Sequence, residues 1–192
     1  MASDSAAPGG APPRRDGLQA PRLRVPAPAE PFHVVLVEPE IPQNTGAVAR
    51  LCAATSSPLH LVGTLGFRID EKSVRRAGVD YWHLVDVRRH LDLAHLAQAL
   101  PPERWFLFSA LATRSYLDAT IRPGDALVFG RESRGLDVEL LEKHADRVLG
   151  IPTSGAVRSL NLSNAVSVVL YEALRSTGAL AGAKPVASPI TG

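Results

Sequence analysis

Six short runs along the middle of the chain are almost wholly apolar: residues 32–37, 59–62, 84–87, 105–108, 126–129 and 148–151. Between them lie stretches whose apolar residues recur every three or four positions. This spacing predicts helices over residues 43–55, where Val48, Leu51 and Cys52 share one side, over 89–100, 138–144 and 163–176, and a short one over 71–76. Strands with no polar alternation are buried on both faces. Alternation with helices therefore predicts an α/β fold, a mostly parallel sheet covered by helices on both sides. No internal repeat interrupts this order.

The pattern stops at both ends. Residues 1–30 are rich in Ala, Pro, Gly and Arg and nearly lack branched apolar side chains, so they bury too little surface to offset their ordering entropy. Arg14, Arg15, Arg22 and Arg24 lie in this tail, either solvated or brushing RNA phosphates. Residues 178–192 read the same way, which leaves one expected domain over residues 31–177. With 192 residues, 45% of them apolar, the chain supports one core, and its net charge of +2 is compatible with RNA without requiring it. Cys52 is the single cysteine, so no intramolecular disulfide forms. No apolar run reaches membrane-spanning length and no signal-peptide pattern opens the chain, so the expectation is a cytoplasmic protein.

Polar residues concentrate at three strand-to-helix junctions. Around Ile151-Pro152, the run Arg158-Ser159-Leu160-Asn161-Leu162-Ser163-Asn164 holds more polar groups than a helix cap needs, although Ser163 or Asn161 can cap. After the first strand come Glu38-Pro39-Glu40-Ile41-Pro42-Gln43-Asn44-Thr45-Gly46, then Arg50. Pro42 presets the turn and Asn44 can cap the helix. Gly46 suggests a close approach to the backbone, with Arg50 one turn on. Arg50 is either a surface cation or a ligand for a phosphate or developing alkoxide. The third junction is Gly130-Arg131-Glu132-Ser133-Arg134-Gly135-Leu136, where two glycines let a charged loop turn sharply and approach a ligand.

Other chemistries lack their residues. No G-x-G-x-x-G follows the first strand, and no phosphate-binding G-x-x-x-x-G-K-[ST] or nucleophile G-x-S-x-G occurs. The six histidines have no paired metal spacing, so no metal site is expected, and His90 and His95 read as surface residues of one helix. Cys52 reads as inert core.

Together and in order, Asn44-x-Gly46-x-x-x-Arg50, Gly130-x-Glu132-x-x-Gly135-Leu136 and Ser159-Leu160-Asn161-x-Ser163-Asn164-Ala165 resemble the SPOUT class of RNA methyltransferases, in its SpoU branch. Leu65-Gly66-Phe67 and Arg75-Arg76-Ala77-Gly78-Val79-Asp80-Tyr81 resemble the small single-domain members that methylate the wobble ribose of tRNA. The resemblance covers about residues 32–177. It implies a deep C-terminal trefoil knot, a feature otherwise rare in proteins, and a homodimer. It also implies S-adenosylmethionine as methyl donor and tRNA as partner. The implied cofactor contacts are Phe108, Ser109, Gly130, Glu132, Gly135, Ile151, Ser159, Leu160 and Asn161. Asn44 and Arg50 are the implied catalytic residues, and Arg50, Arg75, Arg76 and Arg158 the implied RNA-binding ones. Around Phe108 the sequence reads Phe-Ser-Ala-Leu-Ala where relatives often have Thr-Thr-Lys. No general base stands out. A ribosomal-RNA methyltransferase and a non-catalytic RNA-binding factor of this fold are the competing expectations.

Overall fold

A computed structural model describes residues 22–67 and 82–186. Within residues 26–181, one compact unit, the described strands are β2 (His33–Val37), β3 (Leu59–Val62), β4 (Val87–His90), β5 (Trp105–Phe108), β6 (Ala126–Phe129) and β7 (Val148–Leu149). They form one parallel sheet in the order β4-β3-β2-β6-β5-β7. Because strand side chains alternate between faces, β2 divides its residues between two cores. Val34 and Leu36 pack with Leu59, Leu61, Leu127 and Phe129 beneath α1 (Pro42–Thr55) and α4 (Leu162–Ser176). Val35 packs with Val62, Leu107 and Val128 beneath α2 (Leu93–Ala99) and α3 (Val138–Lys143). Helices thus cover both faces, as the wholly apolar strands predict.

Three expected boundaries need correction. β4 covers residues 87–90 rather than 84–87, because it pairs Val87–His90 with Leu59–Val62, and Leu84 sits 60% exposed in a single helical turn before it. β4 is an edge strand, which is why Arg88 and Arg89 are exposed within it. The following helix begins at Leu93 rather than Arg89, since Asp92 accepts a hydrogen bond from the backbone N–H of His95 and caps it there. β7 ends at Leu149, beyond which Gly150 bonds with Arg114 and Tyr116 of the segment after β5. Of the two residues expected as possible caps of α4, Asn161 is the one that caps it. The helix expected over residues 71–76 lies outside the described residues.

The histidine reading changes with β4. His90 is buried on this strand, not exposed on a helix. On the α2 side of the sheet, His33 Nδ1 meets His60 Nε2 at 3.0 Å, and His60 Nδ1 meets His90 Nε2 at 2.9 Å. Burial, with the neighbouring His33 and His90 rings and Arg88 adding to it, pushes His60 down to about 3. His33 and His90 are lowered as well, each chiefly by burial. Cys52 is 1% exposed and its thiol is pushed up to about 12 by burial, which makes it inert core.

The described residues 22–25 and 182–186 belong to a second unit. In it, β1 (Arg22–Arg24) pairs antiparallel with β8 (Lys184–Val186). Both strands lie in segments expected to be disordered. Their side chains are exposed, so the pair rests on backbone hydrogen bonding and not on the apolar burial whose lack motivated that expectation.

Candidate functional site

In a parallel sheet all strands end at one edge, and β2 adjoins β6, so the loops after these two strands are neighbours. Glu132, from the loop after β6, reaches across to the loop after β2. Its carboxylate accepts from Glu40 N at 2.8 Å, from Ile41 N at 3.2 Å and from Asn44 Nδ2 at 3.0 Å. Helix α1 has Ile41 at its N-cap, a residue with no side-chain acceptor, and Pro42 opens its first turn. Asn44 therefore does not cap α1, because the proline starts the helix before it. An anionic oxygen from another loop sits at that helix start instead, where it suits both free N–H groups and the dipole.

Asn44 is 7% exposed and joins the other two junctions. Its Oδ1 accepts from Asn161 Nδ2 at 3.0 Å, while Asn161 Oδ1 accepts from Ser163 N at the start of α4. The motif residues Glu132, Asn44 and Asn161 are thus one hydrogen-bonded chain spanning two helix N-termini.

A second set of contacts clasps the same two loops. Glu38 is ion-paired with Arg131, and Glu40 accepts from Ser133 N at 2.9 Å and Ser133 Oγ at 2.8 Å. Glu38 has φ 47°, the left-handed region that ordinary residues rarely adopt. The sequence motif contains Glu38 and Glu40 but gave them no role. Two carboxylates flanking Pro39 were the available signal.

The glycines of the Glu132 loop do different work from that expected. A Cβ on Gly130 would lie 2.1 Å from the carbonyl carbon of Gly135 and 2.3 Å from Leu136 N. The close approach comes from the loop's own return, held by mutual Arg131 and Gly135 backbone bonds. Gly135 has φ +76°, which glycine adopts freely, and Leu136 is buried beyond it.

Other candidates surround this chain. Phe108 ends β5 and stacks on Phe129 at 4.8 Å, so its ring belongs to the core. Ser109 N donates to Leu149 O, and its Oγ accepts from Leu111 N. Ile151 packs against the core, while Arg158, Ser159 and Leu160 are exposed. Among the described residues, no backbone-to-backbone hydrogen bond begins or ends within residues 151–160. Arg50 lies on the exposed stripe of α1 with Gln43 and Ala47. Arg75 and Arg76 lie outside the described residues. No group of three or more His, Cys, Asp or Glu side chains among the described residues could hold a metal ion.

Known proteins share this architecture. The SpoU rRNA methylase family matches residues 31–171. A tRNA (cytidine(34)-2'-O)-methyltransferase of Saccharophagus degradans is 47% identical over 154 residues, 80% of this chain and 99% of the relative. A solved structure concerned with 2'-OH methylation of C/U34 on tRNA is 50% identical with a TM-score of 0.71, over 76% of this chain and 95% of that one. The SpoU methyltransferase AviRb of Streptomyces viridochromogenes, solved with AdoMet, shares the fold at 23% identity and TM-score 0.65, over 85% of this chain and 62% of that one. With a family match spanning most of the sequence and relatives matched along nearly their whole length, this chain belongs to the SpoU methylase family.

Proposed function

We propose that this protein methylates the ribose 2'-hydroxyl of the wobble nucleotide of tRNA, cytidine or modified uridine 34, with S-adenosylmethionine as methyl donor. The observation that carries this reading is the Glu132–Asn44–Asn161 chain, which unites one polar residue from each of the three junctions. The relative from S. degradans, named for this activity, and the C/U34 methylation structure supply the substrate class.

S-adenosylmethionine supplies an electrophilic methyl group on a sulfonium. The residues that would hold it are Phe108, Ser109, Gly130, Gly135, Ile151, Ser159, Leu160 and Asn161. Residues 151–160 fit such a ligand, because their uncharged backbone donors and acceptors are not spent on one another and match a nucleoside's polar edges. Glu132, with three donors already on its carboxylate, orients Asn44 and the α1 start in this reading. Arg50 steadies the developing alkoxide or the adjacent phosphate, an interaction strongest when water is excluded. Arg158, Arg75 and Arg76 bind phosphates.

The family resemblance extends the proposal to a trefoil knot in the C-terminal half and to a homodimer. Val168 and Tyr171, 40% and 48% exposed one turn apart on α4, offer an apolar face for the second copy. No described helix is long and apolar enough to cross a membrane, and we place the enzyme with its tRNA substrate in the cytoplasm. The test is incubation with labelled S-adenosylmethionine and total RNA, tRNA and ribosomal RNA together, from a strain lacking the modification, followed by separation, nuclease digestion and mass spectrometry. Label on the ribose at position 34 is expected. Label confined to ribosomal RNA, or cofactor binding with no transfer to any RNA, overturns the reading.

A further inference from the structure

The terminal unit carries charge that the remainder of the chain lacks. Residues 1–25 and 182–192 hold five Lys or Arg against two Asp, a net +3. Residues 26–181 hold sixteen against seventeen Asp or Glu, a net −1. A core of that charge exerts little long-range attraction on a polyanion, so the steering charge resides in the termini.

The β1–β8 ladder arranges part of this charge. Arg24 lies directly opposite Lys184, and Arg22 opposite Val186, while Leu23 opposes Pro185. Opposed residues of an antiparallel pair point to the same face. Arg22, Arg24 and Lys184 therefore line one face of the ribbon, all three exposed. None of the three is in a salt bridge among the described residues. The Arg24–Lys184 juxtaposition is unfavourable by itself, because like charges directly across a ladder repel. A bound anion reverses its sign. Both strands lie outside residues 31–171, the part matched by the methylase family.

We propose that this terminal ribbon is an RNA-binding element of its own, whose Arg22, Arg24 and Lys184 engage the phosphodiester backbone of tRNA. The choice of tRNA rests on the proposed function. The ribbon recognises phosphate charge and spacing rather than base identity, since guanidinium and ammonium groups on an exposed face present no base-reading geometry.

The experiment compares the full-length protein with R22A/R24A/K184A and the charge-retaining R22K/R24K. Binding of bulk tRNA is followed by fluorescence anisotropy from 50 to 300 mM salt. Each lost phosphate contact removes about 0.7–0.9 from the slope of log affinity against log salt. The triple alanine variant should thus have a slope shallower by about 2 and bind roughly tenfold or more weakly at low salt. R22K/R24K should keep the parent slope. In the methyl-transfer assay the KM for tRNA should rise in the triple alanine variant and stay at the parent value in R22K/R24K. Parallel salt plots for parent and triple variant overturn the proposal. Equal losses in the alanine and lysine variants also overturn it, because charge is then not the cause. Binding to phosphatidylserine vesicles without binding to tRNA overturns it too. Slope loss in a protein that never methylates position 34 leaves the ribbon standing and removes the proposed function. Methylation with an unchanged slope does the reverse.

Discussion

Asn161 Nδ2 donates to Asn44 Oδ1 at 3.0 Å across 117 residues of sequence, and the direction of that bond is set elsewhere. Glu132 can only accept, so Asn44 must turn its NH2 towards Glu132 and its carbonyl oxygen towards Asn161. Asn161 then has its NH2 committed, which leaves Oδ1 to accept from the N–H and hydroxyl of Ser163. One carboxylate thereby orients two amides and ties the start of α1 to the start of α4.

Glu132→Gln keeps the shape but lets the side chain donate, so the chain loses its fixed direction. Hydrogen bonds to a charged group contribute about 1.5–3 kcal/mol each when buried, and this site is only partly buried, so a loss of about 1–2 kcal/mol is expected. Methyl transfer should fall further than stability alone explains, because Asn44 and Asn161 lose their orientation. Urea unfolding and transfer assays on the same preparation check this. Activity equal to the parent would show that the carboxylate does not govern the amides.

Gly130→Ala tests the returning loop. The new Cβ meets backbone atoms of Gly135 and Leu136 at 2.1–2.3 Å, and backbone cannot swing aside as a side-chain tip can. Overpacking of this kind costs about 1–3 kcal/mol, and displacement of the loop moves Glu132 with it. Gly135→Ala meets no such atoms, and its penalty comes from φ +76° alone. Denaturant melts should rank Gly130→Ala as the more damaging.

The strands were legible where burial on both faces made them continuous apolar runs, as at residues 59–62, 105–108 and 126–129. β4 was not, because an edge strand takes Arg88 and Arg89 as readily as valine and only its pairing with β3 marks it. Asn44, Glu132 and Asn161 were legible as polar excess at junctions, but their mutual bonds were not, since residues 88 and 117 positions apart meet only through sheet order. The left-handed φ of Glu38 left no sequence signal, because what accompanies it, the ion pair with Arg131 and the backbone bond to Val62 O, joins residues far apart in the sequence.

Stability should depend on pH through the linked histidines. His60 has a folded pKa of about 3 against an ordinary 6.5, with His33 and His90 lowered in the same direction. The unfolded chain therefore binds more protons below pH 6.5, and folding is fully favoured only above it. As pH falls from 6.5 towards 3, His60 removes up to about 1.4 kcal/mol per pH unit, and His33 and His90 act in the same direction. The facing groups are Arg88 on β4, Asp86 just before it, His95 on α2 and Arg104 before β5. His60→Gln should flatten the slope between pH 6 and 4 in denaturant melts. An unchanged slope would mean the three rings are not buried neutral.

Thr45 offers a change expected to stabilise. It follows Asn44 in the first turn of α1, is 1% exposed, and its Oγ1 has no hydrogen-bond partner among the described residues. A buried hydroxyl without a partner costs about 1–3 kcal/mol of desolvation. Thr45→Val removes that hydroxyl while keeping the branched shape, and the helix propensities of the two residues are similar. The variant should unfold at a higher urea concentration, with a gain of about 1 kcal/mol. Asn44 keeps both of its hydrogen bonds, so methyl transfer should be retained. A variant that gains stability but loses transfer would assign the hydroxyl to a bound substrate or cofactor, whereas a loss of stability would mean that Oγ1 has a partner in solution.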